Sequence, residues 1–144
     1  MASVKTWTAE KLADAEAGLR ELELMGPEDH LIEAIGGDYW EGFLGMYLQT
    51  RGFFYFTTST VAFVAGMGFV KAITSPSAFK WSLRYSEIKK AELCNIGPLI
   101  RFLPTGIRLY FDDQEKGKEN SYRISILKRK EWLAFLQEHM ANAG

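Results

Sequence analysis

Side-chain catalysis needs a nucleophile beside a base, an acid–base pair or a set of metal ligands. The spacing in this chain assembles none of these. His30 and His139 are the only histidines among 144 residues, and Cys94 is the only cysteine. A zinc site takes about four ligands, and these three scattered residues offer no ligand spacing. Both histidines therefore read as surface residues, and Cys94 as a small buried hydrophobe rather than a reactive thiol. Ser77-Ala-Phe-Lys80 and Ser86-Glu-Ile-Lys89 match the serine–lysine spacing of penicillin-recognising enzymes. Those enzymes place it at a helix start with companion motifs that this chain lacks, and here both matches fall in strand-like sequence. Asp112, Asp113 and Glu115 cluster like calcium ligands but lack the EF-hand register, so they read as a solvated turn. Gly66-Met-Gly68 lacks the third glycine and following helix of a phosphate loop. The residues point to no enzyme, no cofactor and no metal.

Charge is more informative. The chain carries 17 Lys plus Arg against 18 Asp plus Glu, so its net charge of −1 excludes a uniformly basic nucleic-acid binder. The charges are segregated: residues 1–41 hold ten acidic and three basic side chains, residues 42–111 two acidic and eight basic, and residues 112–144 six of each. Lys80 and Arg84 share the polar face of one strand, and Lys89 and Lys90 follow just beyond a bend. Lys128, Arg129 and Lys130 begin the last helix, where three cations oppose the positive end of the helix dipole. These seven residues form the candidate binding patch. A solvated exterior is the plain reading of such charges; anionic lipid headgroups, nucleic acid or the chain's own acidic helix are the sharper ones. Nucleic acid ranks last, because alternation assigns most of the aromatics to the core.

The elements that would position these residues follow from periodicity. Leu12, Ala15, Leu19 and Leu22 give one apolar stripe over residues 8 to 25, with Thr8 as cap and Gly26-Pro27 as stop. Asp14, Glu16, Glu21 and Glu23 make its other faces acidic. From about His30 to Ser125 the chain reads as strands and turns. Phe79, Trp81, Leu83 and Tyr85 alternate with Lys80, Ser82, Arg84 and Ser86; Ile107, Leu109 and Phe111 alternate likewise, as do Tyr122, Ile124 and Ile126. The spacing predicts that Phe79, Trp81, Leu83, Tyr85, Ile107, Leu109, Phe111, Tyr122 and Ile124 are buried, together with Trp132. Asp112 to Glu119 is a polar hairpin loop with Gly117 free to take positive φ, and Gly97-Pro98 and Pro104-Thr105-Gly106 punctuate another connection. Residues 128 to 140 read as a helix whose apolar face is Trp132, Phe135, Leu136 and Met140.

One stretch, Gly52 to Val70, has no charged residue and is long enough to span a bilayer. Thr57-Thr58-Ser59-Thr60 interrupts it, and the flanking aromatic and β-branched residues fit two strands and a turn better. With no signal-peptide core at the amino terminus, the expectation is a soluble, cytoplasmic protein, peripheral to a membrane at most. Helix, about seven antiparallel strands, helix: this order implies a mainly β sandwich or barrel covered by the final helix.

Two segments carry a resemblance to a known family. Gly52-Phe-Phe-Tyr-Phe-Thr-Thr-Ser-Thr-Val-Ala-Phe63 resembles the glycine, strand, threonine turn, strand signature of GRAM and bacterial PH-like domains. Leu83-Arg-Tyr-Ser-Glu-Ile-Lys-Lys-Ala-Glu92 resembles their later strand pair, and the spacing to Gly106–Asp113 and Trp132 fits over residues 38 to 140. The resemblance implies a PH-like fold of seven strands in two near-orthogonal sheets with a C-terminal capping helix. It divides the chain into an acidic helix, residues 1–26, which the family pattern lacks, and a PH/GRAM-like domain, residues 27–144. It also implies a non-catalytic module that binds protein segments or membrane lipids. Phosphoinositide-gripping PH domains place several cations on the first two strands. The corresponding region here, Tyr39 to Phe56, holds only Arg51, which weighs against high-affinity phosphoinositide recognition. The expected partners are therefore an unknown protein or further copies of the chain, with anionic lipid the alternative. The acidic helix is expected to dock its leucine stripe, with its carboxylates near Lys80, Arg84 and Lys89.

Overall fold

The computed structural model describes residues 6–43, 46–66, 73, 79–94 and 106–143. Ser77 of the first serine–lysine pair, Met67 and Gly68, and the Gly97-Pro98 and Pro104-Thr105 punctuation lie outside them. Helix α1 (Ala9–Glu21) comes first, followed by β1 (Leu31–Phe43), β2 (Met46–Thr57), β3 (Thr60–Ala65) and β4 (Lys80–Arg84). A 3₁₀ turn over Tyr85–Glu87 leads into β5 (Ile88–Cys94), β6 (Gly106–Asp113), β7 (Lys118–Ile126) and helix α2 (Arg129–Ala143). The strands form one seven-stranded sheet in the order β4-β3-β2-β1-β7-β6-β5. No helix among the described residues is long and apolar enough to cross a membrane.

The chain divides into two compact units, residues 1–36 with 51–84 and residues 37–50 with 85–144, so β1 and β2 contribute to both. In the first unit, Thr8 Oγ1 accepts from the Lys11 N–H at 3.1 Å and caps α1. Ala15 and Leu19, fully buried, carry the helix into a cluster with Leu24, Met25, Leu31, Ala34, Tyr55, Ala62, Val64 and Ile73. Leu12 and Leu22 pack at its margin. The charge-free stretch is a β2–β3 hairpin within the described residues, with Gly52 opposite Ala65 and Phe56 opposite Val61. Phe54, Tyr55 and Phe56 are all fully buried, so β2 is covered on both faces here and shows no alternation. At Gly52 a Cβ would come within 2.3 Å of the Val64 carbonyl oxygen, which is why the hairpin needs a glycine there. Trp81 and Leu83 are buried as alternation predicts, and the Trp81 ring stacks 6.0 Å from Phe63.

Phe79 corrects the expectation for this strand: it is 49% exposed. Its carbonyl accepts from the Ala65 N–H at 2.8 Å, but it precedes the first ladder residue, Lys80, so strand parity no longer dictates where its ring goes.

In the second unit, Ile107, Leu109, Phe111 and Ile124 are buried, and Tyr122 is half-buried with its ring 4.6 Å from Phe111. Helix α2 packs on β5 and the 3₁₀ turn, where Gln137 Nε2 donates to the Ala91 carbonyl at 3.1 Å. Leu136, fully buried, is its anchor; Trp132, expected in that role, is half-buried and meets Phe135 edge-on at 5.1 Å. His139 corrects the surface reading in part, because its ring stacks on Phe135 at 3.9 Å and lies 5.1 Å from Tyr85.

Candidate functional site

The seven candidate cations fall into distinct environments. Lys80 and Arg84 stand on β4 in the first unit, Lys80 half-buried and Arg84 exposed. The other five belong to the second unit. Lys89 Nζ lies 2.9 Å from Glu119 Oε2 and 3.2 Å from Asp112 Oδ1, and these hydrogen bonds, Glu119 first, hold its pKa above the usual lysine value. Both carboxylates belong, like Lys89, to the second unit. Glu16 of α1 accepts from the Leu31 N–H at 2.8 Å and lies 3.6 Å from His30 Nδ1.

Lys90 Nζ lies 3.1 Å from Glu92 Oε2 and 5.6 Å from the Tyr110 ring centroid. The Tyr110 hydroxyl donates to Glu92 Oε1 at 2.7 Å, and this bond, followed by the one from Lys90, lowers the Glu92 pKa. Lys89 and Lys90 are thus neutralised within the sheet that carries them.

Lys128, Arg129 and Lys130 differ. They form the β7–α2 turn, where Lys128 takes φ 56° and its carbonyl accepts the Trp132 N–H at 3.1 Å. No carboxylate pairs with any of the three among the described residues, although Glu131 follows in the same helical turn. Leu127 beside them is 64% exposed.

Asp113 stitches the β6–β7 loop: its Oδ1 accepts from the Glu115 and Lys116 N–H groups at 3.1 and 3.2 Å, and its Oδ2 from Asn120 Nδ2 at 3.2 Å. Gly117 takes φ 64°, as the loop reading anticipates. Cys94 is half-buried, and burial raises its thiol pKa although Arg123 and Arg108 pull it down, so it stays protonated near neutral pH. Ser86 lies in the 3₁₀ turn rather than at the start of a long helix. Among the described residues no three His, Cys, Asp or Glu side chains gather as metal ligands.

Two arrangements have no counterpart in the sequence motifs. One is a polar clamp: Asp29 accepts from the Gly26 N–H and the Thr58 hydroxyl at 2.8 and 2.9 Å and from the Ser59 hydroxyl at 2.6 Å. Thr60 Oγ1 donates to the Leu24 carbonyl at 3.0 Å. The threonine turn that interrupts the apolar stretch therefore fastens the α1–β1 connection to the β2–β3 hairpin. The other is a cross-strand row in which Arg108 stands opposite Arg123, with Trp40 beyond Arg123 and Glu92 beyond Arg108. Alternation places Arg108 on the polar face, but only the register of strands distant in sequence makes the arginines neighbours.

No family model and no curated protein matches the chain. Solved structures do. The C-terminal domain of an unknown protein from Leishmania infantum matches with a TM-score of 0.60 at 13% identity, over 93% of this chain and 99% of that one. The DH/PH domains of PDZ-RhoGEF, in complex with GTP-γ-S-activated RhoA, match with a TM-score of 0.58 at 12% identity over 98% of this chain, which spans 36% of that one. The hSac2 domain from human phosphoinositide phosphatase Sac2 matches with a TM-score of 0.58 at 11% identity, over 96% of this chain and 87% of that one. At these identities the likeness is one of fold. The architecture is PH-like: mainly β, seven strands with an N-terminal and a C-terminal helix.

Proposed function

We propose that the chain is a non-enzymatic PH/GRAM-like binding module whose ligand is a protein, either a partner or further copies of itself. The observation that carries this reading is the internal neutralisation of Lys89 by Asp112 and Glu119 and of Lys90 by Glu92. Cations already paired with carboxylates of their own sheet offer little to a lipid headgroup, because their exchange for phosphate gains almost no net charge interaction. The PDZ-RhoGEF neighbour, crystallised with RhoA, is an example of this fold in a protein complex.

A second reading rests on the β7–α2 turn. Lys128, Arg129 and Lys130 have no carboxylate partner among the described residues, and Leu127 projects beside them. Juxtaposed cations and an exposed apolar side chain suit an anionic bilayer surface, where each cation contributes about 1 kcal/mol. Vesicle sedimentation over a salt series separates the readings. The protein-binding reading expects no sedimentation with vesicles containing phosphatidylserine. Binding that fades as salt rises, and that K128E/K130E abolishes, would establish the membrane reading in its place.

A further inference from the structure

We propose that the β7–α2 turn, Leu127 to Lys130, is a docking surface for the outward face of helix α1 in a second copy of this chain. This rests on the protein-binding reading above and names the partner. Lys89 and Lys90 already have their carboxylates, but the turn does not. Leu127 is 64% exposed, Lys128 and Lys130 are exposed, and Arg129 is half-buried. None of the three cations is in an ion pair among the described residues, and Arg129 Nε, closed off from solvent, has no hydrogen-bond partner. Lys128 immediately precedes α2, and its carbonyl accepts the first bond of the helix from the Trp132 N–H. A lysine side chain at that capping position has donors only, so it offers no acceptor to the first N–H groups. Three consecutive cations thus stand at the positive end of the helix dipole, where carboxylates are the favoured neighbours. The turn calls for acids arranged around an apolar spot.

The outward face of α1 has that composition. Ala15 and Leu19 carry the opposite face into the core of the first unit, which leaves Glu10, Ala13, Asp14, Ala17 and Glu21 exposed. At about 100° per residue these five fall within an arc of about 100°. Glu10, Asp14 and Glu21 are in no ion pair among the described residues. Ala13 and Ala17, about one helical turn apart, form a shallow apolar spot framed by the three carboxylates. Along the axis Glu10 and Asp14 lie about 6 Å apart, and Asp14 and Glu21 about 10 Å. Leu127 can seat on the alanines while Lys128 and Lys130, each a charge on a flexible four-carbon stem, reach the acids around them. The turn is an apolar side chain framed by cations, and the helix face is an apolar spot framed by carboxylates. Exposed charges make this contact, so its affinity depends strongly on ionic strength.

Sedimentation equilibrium of the full chain tests this. At roughly 25 mM salt, where the Debye length is about 20 Å, the mass should rise with concentration to at least that of a dimer; at roughly 500 mM, where it is about 4 Å, the monomer should remain. K128E/K130E and E10K/D14K/E21K should each be monomeric at both, because each removes one side of the contact. Mixed in equal amounts at low salt, the two variants should associate, since the acidic helix of the first meets the basic turn of the second. Circular dichroism checks folding, and K128Q/K130Q or E10Q/D14Q/E21Q replaces a variant that fails to fold. A wild-type chain monomeric throughout, association indifferent to salt or to either variant, or a mixture that stays monomeric would each overturn the proposal. A monomeric chain that also ignores phosphatidylserine vesicles would leave the protein-binding reading standing without the second copy as its partner. One that sediments with those vesicles, and loses this in K128E/K130E, would assign the turn to a membrane and remove both.

Discussion

Asp29 shows how a single side chain can decide the placement of a helix. Partial burial pushes its pKa up, but hydrogen bonds from Ser59, Gly26 and Thr58, with Arg20 nearby, outweigh that and leave it below the ordinary 3.8. Arg20 Nη2 also donates to the Asp29 carbonyl at 2.8 Å, so the residue is gripped through both its carboxylate and its backbone. Removing the carboxylate in Asp29→Ala leaves three donors without their acceptor and should cost about 2 kcal/mol, at roughly 1 kcal/mol per bond with allowance for solvent replacing some. The pH dependence has a definite sign. A carboxyl group with a depressed folded-state pKa contributes stability above its unfolded value, and loses it as pH falls through the folded one. The gap in urea midpoint between wild type and D29A should therefore be constant from about pH 7 to 5 and shrink below about pH 4. A gap unchanged down to about pH 2 would show that the charge is not what holds the clamp.

At the scale of elements, α1 is held by Ala15 and Leu19 of its expected stripe, and α2 by Leu136 of its expected face more than by Trp132. Helix α2 depends on Leu136: Leu136→Ala should cost about 2–5 kcal/mol, and Trp132→Ala, half-buried, distinctly less than the 3–5 kcal/mol of a core aromatic. Denaturant midpoints that rank the two the other way would reassign the anchor. Helix α1 is too short to persist alone, since isolated helices below about 12–15 residues are marginal. Its cluster supplies the stability, so a chain beginning at residue 27 should leave Leu31, Ala34 and Tyr55 uncovered and aggregate. An equally soluble truncated chain in light scattering would contradict that. Alternation alone located Trp81, Leu83, Ile107, Leu109 and Phe111 in the core, because within a paired strand parity is geometry. It failed at Phe79, one residue outside the ladder, and for β2, where both faces are buried and parity carries no information. Lys89 looked like a free cation because Asp112 and Glu119 are distant in sequence, and the Arg108–Arg123 pair stayed hidden for the same reason; Lys90 is met by Glu92 on its own strand, two residues on. Side chains announce a face; only register announces a neighbour.

Across the whole molecule, β1 has a history that the finished sheet conceals. Its partners on one side, Ile126, Ser125, Ile124 and Arg123, belong to β7, so Trp40 waits for a strand made roughly 80 residues later. At bacterial or eukaryotic synthesis rates of about 5–20 residues per second, that edge stays open for about 4–16 s on a translating ribosome. During those seconds the α1 cluster and the β2–β3–β4 hairpins can form from chain already made, whereas the backbone N–H and C=O groups of residues 37–40 lack their strand. An unpaired edge of that kind is a template for intermolecular pairing. Gly37 and Asp38 occupy that interval, with Gly36 just before it, residue types that are poor strand formers and therefore poor recruits for another chain. Such a weak stretch would guard the open edge during synthesis, and the glycine just before it has a use in the folded protein too, since a Cβ at Gly36 would come within 3.3 Å of the Phe53 ring.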